Sequence, residues 1–367
     1  MAQIAGHPFQ VKEVDREVYE RQIRSFLPPR IIDVHTHVWL ERYKSAKDES
    51  LRAVTWPHRV ARDNSIEDLM ATYRLMFPDK KVMPLIFGNA LSFDDDIHGG
   101  NQYVSECASR YRVPALIFAQ PRWSETELEE RIITGKFLGA KVYLTLSDPQ
   151  IAEKDIQIYD FLPHHQLKVL DRHGWIVMLH IPRSARLRDP LNLVQMVEIE
   201  KLYPNLKVII AHVGRAYCPE DIGNAFEVLA ETKKMVFDTS ANTCAETFAA
   251  TVRAVGPRRV LFGSDMPILR MRTRRICEKG FYVNLVPKGL YGDVSADPHL
   301  RDVEGTEAER LTFFMYEEIT ALRHAAEETS LGASDIEAIF YGNAARVLCE
   351  AGMPESFLHS DHQGSET

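Results

Sequence analysis

Eight short runs of apolar and β-branched residues alternate with amphipathic segments, and this alternation constrains the fold more than any other feature of the chain. We predict strands at residues 30–39, 81–89, 113–121, 139–147, 175–182, 206–214, 234–240 and 259–267. Most of these runs are nearly continuously apolar, as expected for parallel strands that helices cover on both faces. Eight strand–helix units predict an α/β fold, a (β/α)8 TIM barrel rather than a doubly wound sheet.

Helix-start residues support the intervening helices. Ser65 and Ser124 each precede an acidic residue by three positions, the spacing of a capping box. Pro190 suits the first turn of a helix. A helical segment at residues 15–26 precedes the first strand, and a helical C-terminal extension is expected at residues 310–350.

No low-complexity linker divides the 367 residues, so we expect one domain over residues 1–367 with a barrel core at about residues 30–350. Two insertions interrupt the spacing, residues 40–64 after the first strand and residues 268–310 after the eighth. Loops of this length in a compact barrel are usually lids or binding loops. The second insertion has enough apolar and aromatic residues to serve as a lid or as a subunit contact, and a homo-oligomer is expected.

Charge and cysteine usage exclude some classes of partner. A net charge of −8 argues against a nucleic acid or an anionic membrane as the main partner. The five cysteines contain no CxxC pair, which predicts reduced thiols in a cytoplasmic protein. No run approaches about 18 apolar residues, the length needed to span a membrane.

Polar residues stand at the ends of several predicted strands. His35 and His37, two positions apart on strand 1, share one face and are either hydrogen-bonded core histidines or metal ligands. His180 and His212 end strands 5 and 6, and Asp265 ends strand 8. Because a barrel carries its active site at the carboxyl ends of its strands, these five residues together predict a metal site.

Three imidazoles and a carboxylate suit a metal that activates water. On zinc, the pKa of a bound water falls to about 7. Asp265 can then take the proton of that water as a general base, and His212 can hydrogen-bond the substrate oxygen that gains charge. We expect one Zn²⁺, with Mn²⁺ as the alternative.

The segments "IIDVHTHVW", "IIAHVG" and "VLFGSDMPI", with a histidine ending strand 5 between the first two, resemble the amidohydrolase superfamily and its amidohydrolase-2 branch over roughly residues 30–350. The resemblance implies that His35, His37 and His180 bind a divalent metal, with Asp265 on or near it. It also implies that His212 is a second-sphere acid or electrophile.

Binuclear members of the superfamily bridge two ions with a carboxylated lysine on strand 4. Lys141 lies near the start of the corresponding strand here. The residue therefore has three possible roles, as a bridging ligand, as a substrate-binding group or as a structural group. We expect a mononuclear site.

Arginines follow several of the strands that carry the predicted site, which favours a small carboxylic acid as substrate. They are Arg122, Arg183, Arg186, Arg188, Arg215, Arg270, Arg272, Arg274 and Arg275. Arg183, Arg215 and Arg270 stand closest to the predicted metal ligands and are the expected substrate-binding residues.

Three functions fit this site. The first is metal-dependent hydrolysis of an ester, lactone or amide of a carboxylate-bearing substrate. The second is non-oxidative decarboxylation of an aromatic or unsaturated acid, because the amidohydrolase-2 branch also contains such decarboxylases. The third, a barrel that binds or assembles without catalysis, would leave the acid–base residues without a role.

Overall fold

Eight strands occur at the eight predicted places in the computed structural model, which describes residues 10–45, 59–89 and 92–359. They are β1 (Arg30–His37), β2 (Lys81–Phe87), β3 (Ile117–Phe118), β4 (Gly139–Val142), β5 (Ile176–Leu179), β6 (Lys207–Ile210), β7 (Val236–Asp238) and β8 (Val260–Leu261). Each strand is shorter than its apolar run. His180, His212 and Asp265 therefore lie beyond the regular ends of β5, β6 and β8.

All pairing among these eight strands is parallel. β1 pairs with β2, and β3 to β8 form a six-stranded sheet in sequence order. Isolated parallel bridges connect the two sheets, Ile86 with Ala115 on one side and Thr36 with Met266 on the other. The result is an α/β fold with a mostly parallel sheet, whose regular pairing is interrupted at two places.

The helices begin where the capping residues predict. The Ser65 and Ser124 side chains accept hydrogen bonds from the third residue of their helices, and Asp189 caps the helix that Pro190 opens. In the part of the chain that the structure describes, the α-helices are Glu13–Val18, Ile66–Met76, Ile97–Tyr111, Glu125–Gly135, His164–His173, Pro190–Leu202, Ala225–Leu229, Ala245–Val255, Gly305–Arg310, Phe314–Glu328, Ala333–Glu337 and Asn343–Glu350, with a short irregular turn at His212–Arg215. Among the described residues, no helix combines the length and the apolar character needed to cross a membrane.

The insertion after β8 folds into a small sheet of its own. Its strands are β9 (Arg274–Glu278), β10 (Phe281–Pro287) and β11 (Leu300–Val303), in the order β11-β10-β9. β10 runs antiparallel to β9 and parallel to β11. Residues 46–58 of the predicted first insertion lie outside the described residues.

A buried ion pair ties the N-terminal helix to the start of this insertion. Arg272 Nη2 donates to Asp15 Oδ2 over 2.7 Å, and both side chains are almost fully buried. The Thr312 hydroxyl donates to the other Asp15 oxygen over 2.7 Å.

The prediction that all five cysteines are reduced thiols is wrong for one pair. Cys218, in the segment after β6, and Cys277, on β9, form a disulfide with Cα atoms 5.9 Å apart. The sequence did not indicate this pair, because the two cysteines are 59 residues apart. They meet where the insertion folds back onto the segment after β6. Cys107, Cys244 and Cys349 are free. The cysteine pattern therefore no longer argues for a reducing compartment.

Candidate metal centre

Most of the predicted site residues meet in one cavity of about 90 Å³ at the carboxyl ends of the strands. His35, His37, His180, His212 and Asp265 all contribute to its wall. The remaining lining residues are mainly aromatic or cationic: Trp39, Phe118, Lys141, Tyr143, Tyr217, Arg275 and Tyr282, with Asn89, Ala241, Pro267 and Ile268.

Hydrogen bonds behind the β1 histidines determine which ring nitrogen faces the cavity. His37 Nδ1 lies 2.9 Å from the Gly88 carbonyl oxygen, which can only accept, so Nδ1 carries the proton. His35 Nδ1 lies 2.9 Å from Asp238 Oδ2 and donates to it. Burial lowers the pKa of His35 to about 3, so the ring is neutral. His35 therefore presents an unprotonated Nε2 to the cavity, and His37 directs its Nε2 to the same side.

These two nitrogens converge on one carboxylate oxygen. Asp265 Oδ1 lies 3.2 Å from His37 Nε2 and 3.5 Å from His35 Nε2. His35 Nε2 is buried without a hydrogen-bond partner among the described residues. The two imidazole nitrogens and the carboxylate oxygen lie within 4.8 Å of one another, close enough to share one ion. The residues present therefore fit a divalent metal with imidazole and carboxylate ligands.

The backbone holds Asp265 toward the histidines. Its φ of 66° is in the left-handed region, which is uncommon for a residue other than glycine. Its N–H donates to the His35 carbonyl oxygen over 2.7 Å. His212 and Ala241, also on the cavity wall, have φ angles of 57° and 48°. Non-glycine residues in this conformation often cluster at functional sites, where the surrounding contacts impose them.

His180 lines the cavity but does not belong to this group of three. It follows the last residue of β5, and its ring centroid lies 5.3 Å from that of His212. Its Nδ1 is buried without a hydrogen-bond partner among the described residues. Burial lowers its pKa well below the usual value, so the ring is neutral. The role of His180 as a metal ligand stays a prediction.

His212 differs from its predicted role as a hydrogen-bond donor. Its Nδ1 lies 3.0 Å from the Ser240 carbonyl oxygen, so the proton is on Nδ1 and Nε2 carries a lone pair. Burial also lowers the pKa of His212. A neutral ring in this tautomer accepts at Nε2 and cannot donate there to a substrate oxygen.

The sequence interpretation missed Asp238, the last residue of β7. Besides His35 Nδ1, its carboxylate accepts from the backbone N–H of His212 over 2.8 Å and from that of Ser240 over 3.1 Å. The Ser240 hydroxyl donates to it as well. Burial alone would raise the pKa of Asp238, but His35 and these hydrogen bonds hold it below its usual value. Its position at a strand end, like that of the other site residues, was the available signal.

Lys141 also lies on the cavity wall, although it is near the start of its predicted strand. Its role stays a prediction. The side chain is almost fully buried, with its ammonium 5.4 Å from the ring centroid of Phe87 and 5.9 Å from that of Tyr143. Burial lowers its pKa to about 8, against the opposing effect of Asp265 and Asp238. An unmodified Lys141 is therefore still mainly an ammonium donor at neutral pH.

The three arginines expected to bind substrate do not line the cavity. Arg183 Nε donates to Asp189 over 3.0 Å, and Arg215 Nη1 donates to backbone carbonyls, including that of Pro182 over 2.9 Å. Arg270 is buried, and its Nη2 donates to Asn64 Oδ1 over 2.7 Å. Nearness in sequence to a metal ligand was a poor guide, because each side chain turns to a partner within the scaffold. The arginine on the cavity wall is Arg275, from β9.

Solved structures resemble this fold at low sequence identity. An amidohydrolase from Burkholderia multivorans with bound zinc is 16% identical with a TM-score of 0.55, covering 88% of this chain and 99% of that chain. A dihydroxybenzoic acid decarboxylase from Polaromonas sp. JS666, with bound manganese and the inhibitor 2-nitroresorcinol, is 17% identical with a TM-score of 0.53, covering 88% and 97%. A probable 2-pyrone-4,6-dicarboxylic acid hydrolase from Acinetobacter baumannii, with citric acid bound, is 15% identical with a TM-score of 0.52, covering 87% and 99%.

The family assignment comes from the sequence of the chain. No curated protein matches this chain. The model of the family described as Amidohydrolase, of the amidohydrolase-2 type, matches residues 32–283, well over half of the chain. That range includes every residue of the cavity wall named above. The chain therefore belongs to the amidohydrolase-2 family of enzymes.

Proposed function

We propose that this chain is a metal-dependent hydrolase that cleaves an ester, lactone or amide bond of a small carboxylate-bearing substrate. The observation that carries the proposal is the convergence of His35 Nε2, His37 Nε2 and Asp265 Oδ1 in one cavity. We also infer that the eight strands form a (β/α)8 barrel. Its two sheets would be joined at the two isolated bridges.

His35, His37 and Asp265 would hold one divalent ion, with His180 as the candidate fourth ligand. Zinc and manganese both suit imidazole and carboxylate ligands, and the two similar structures named with a metal contain one of each. The ion would polarise a substrate oxygen and lower the pKa of a water molecule, the usual contribution of such a metal to hydrolysis.

The other steps fall to side chains of this chain. Asp265 has a second carboxylate oxygen, which can take the proton of the attacking water as a general base. The Lys141 ammonium, a donor on the cavity wall, can hydrogen-bond the substrate oxygen that gains negative charge. His212 Nε2 is left as an acceptor that can orient a substrate hydroxyl or water.

Decarboxylation of an aromatic acid is the second candidate. Five aromatic side chains line the cavity, an arrangement that suits a flat ring: Trp39, Phe118, Tyr143, Tyr217 and Tyr282. One of the similar structures is named as a dihydroxybenzoic acid decarboxylase. In this reaction Asp265 would first take a proton from a water molecule or a substrate hydroxyl. It would then deliver that proton to the ring carbon as the C–C bond to the carboxylate breaks and CO2 leaves.

The products distinguish the two reactions. Zn²⁺- and Mn²⁺-loaded protein is incubated with carboxylate-bearing lactones, esters and amides, and with hydroxybenzoates, while acid release and CO2 release are recorded separately. The proposal expects acid release without CO2, and CO2 release from a hydroxybenzoate would assign the second candidate instead.

The Asp265→Asn variant tests the acid–base assignment in either case. It should lower turnover by at least about a hundredfold, the typical contribution of acid–base catalysis. Asp302→Asn, on the exposed face of β11, is the matched control and should leave turnover unchanged. An unimpaired Asp265→Asn enzyme would contradict the mechanism.

A further inference from the structure

We propose that Arg275 binds a carboxylate of the substrate that lies away from the reacting bond. The insertion after β8 would then determine substrate specificity. The inference rests on the proposed function in one respect, that the cavity accepts a small organic acid. It adds the residue that recognises the acid, and it favours substrates with a carboxylate at the end opposite the metal ligands.

Arg275 reaches the cavity because of its position on β9. Neighbouring residues of a strand point to opposite faces. The Arg274 side chain is 50% exposed and lies 3.6 Å from Glu317, whereas Arg275 lines the cavity. Tyr282, on the paired strand β10, lines the cavity beside it. The small sheet thus contributes one cation and one aromatic ring to the wall.

The charge of Arg275 is not neutralised by any described acidic group within ion-pair distance. Its Nε donates to Asn284 Oδ1 over 2.9 Å, and its Nη1 donates to the Ala241 carbonyl oxygen over 2.5 Å. Both acceptors are neutral, and neither of these hydrogen bonds uses Nη2. Arg275 is half-buried, and a partly buried cation without a counter-charge favours an anion beside it, so a carboxylate at this point would be favoured.

Three other arginines of this region provide the contrast, whereas Arg215 and Arg270 have neutral acceptors but do not line the cavity. Arg183 pairs with Asp189, Arg186 with Asp221 and Arg272 with Asp15, at N···O distances of 3.0, 2.7 and 2.7 Å. These three side chains already have a counter-charge within the scaffold. Arg275 is the arginine on the cavity wall, and its counter-charge would come from the occupant.

Aromatic rings hold the guanidinium in place. Its central carbon lies 4.7 Å from the ring centroid of Tyr217, 4.5 Å from that of Tyr282 and 4.7 Å from that of Phe314. Such packing fixes the orientation of the planar group, so its N–H fork is already positioned for a carboxylate. A planar, conjugated acid would also contact the rings of Tyr217 and Tyr282 that face the cavity.

A short backbone segment connects Arg275 to the catalytic end of the cavity. Arg275 donates to the carbonyl of Ala241, and the preceding residue, Ser240, accepts from His212 Nδ1. A small molecule can therefore reach from the arginine to the histidines. This arrangement places the reacting bond near Asp265 and the recognised carboxylate near β9.

The test compares probes that differ only in one charge. Mn²⁺-loaded protein is titrated calorimetrically with isophthalate and 3-carbamoylbenzoate, and with fumarate and its monoamide. In each pair one carboxylate is replaced by a neutral amide. Wild type should bind a dicarboxylate roughly tenfold more tightly than its amide partner, a difference typical of a charge-assisted pair.

Arg275→Gln should reduce that preference to within about twofold, whereas Arg274→Gln, the adjacent control, should keep it. Circular dichroism checks the fold of each variant. If Arg275→Gln does not fold, Arg275→Lys decides: it keeps the charge without the planar fork, and the preference should fall to an intermediate value.

Two results would overturn the inference. One is a wild-type protein that binds Mn²⁺ but prefers neither dicarboxylate, and the other is a preference that persists in the Arg275 variants. Failure of the proposed function looks different, since it would appear as absent metal uptake or as metal uptake without turnover of any panel substrate.

Discussion

The orientation of His35 and His37 is determined by groups behind the rings. Asp238 accepts from His35 Nδ1, and the Gly88 carbonyl accepts from His37 Nδ1, so each ring offers Nε2 to the same point beside Asp265. Residues in such positions commonly affect metal affinity nearly as much as the ligands do. At the scale of single residues, the centre therefore depends on Asp238, which also fixes the backbone at His212.

Asp238→Asn is expected to weaken metal binding by about ten- to a hundredfold while leaving the fold intact. The amide removes the negative charge that orients His35, although it can still accept a hydrogen bond. Competition with a chelator measures the affinity for Zn²⁺ and Mn²⁺, with Asp302→Asn as the control. Unchanged affinity in a folded variant would show that Asp238 does not organise the site.

Glu318 gives the apo protein a predictable pH dependence. It is fully buried on the helix Phe314–Glu328 and accepts from the Thr239 hydroxyl over 3.0 Å. Burial raises its pKa well above 4.5, so the folded state binds a proton that the unfolded state releases. Its contribution to stability is present below pH 4.5 and is lost as pH rises toward the raised pKa.

Glu318→Gln should remove this dependence. Relative to the variant, wild type should lose about 1.4 kcal/mol of stability per pH unit from about pH 5 upward until the raised pKa is passed. Urea denaturation of metal-free protein at several pH values measures the difference. Glu327→Gln, an exposed carboxylate on the same helix, is the control. If the difference in unfolding free energy between wild type and Glu318→Gln stayed constant from about pH 5 to about pH 8, Glu318 would not be protonated in the folded state.

At the scale of elements, regular patterns were predictable and folded-back segments were not. The alternation of apolar runs gives the eight strand positions, and the Ser65 and Ser124 caps give two helix starts. The contact between β9 and the segment after β6 depends on how the insertion folds, which no local period encodes. For the same reason the sequence did not reveal the Cys218–Cys277 pair.

The disulfide that links β9 to the segment after β6 can be tested by counting reactive thiols. Without reductant, unfolded protein should react with a thiol reagent at Cys107, Cys244 and Cys349 only, and reduction should expose two further thiols. Reduction should lower stability by roughly 2–4 kcal/mol, because a cross-link restricts the unfolded chain. Cys349→Ser should remove one free thiol without this loss. Five reactive thiols before reduction would contradict the disulfide.

At the scale of the whole molecule, the strand topology predicted from the sequence was the most informative guide to the site. Parallel strands in sequence order bring their carboxyl ends together, so residues as distant as His35 and Asp265 could be predicted to meet. The orientation of long side chains could not be predicted from the topology. Arg183, Arg215 and Arg270 have the right topological positions, yet their flexible stems turn to partners within the scaffold. The role of Arg275 depends on the insertion, which lies outside the repeating pattern.

His35, His37 and Asp265 are proposed to hold one divalent ion. The most direct measurement is metal content by plasma mass spectrometry of purified wild type, after reconstitution with Zn²⁺ or Mn²⁺, beside the His35→Ala/His37→Ala double variant. We expect about one equivalent in wild type, because His35 Nε2, His37 Nε2 and Asp265 Oδ1 converge on one point, and almost none in a folded double variant. Two equivalents would contradict the mononuclear site and bring in Lys141. No metal in folded wild type, or equal metal in both proteins, would contradict the centre itself.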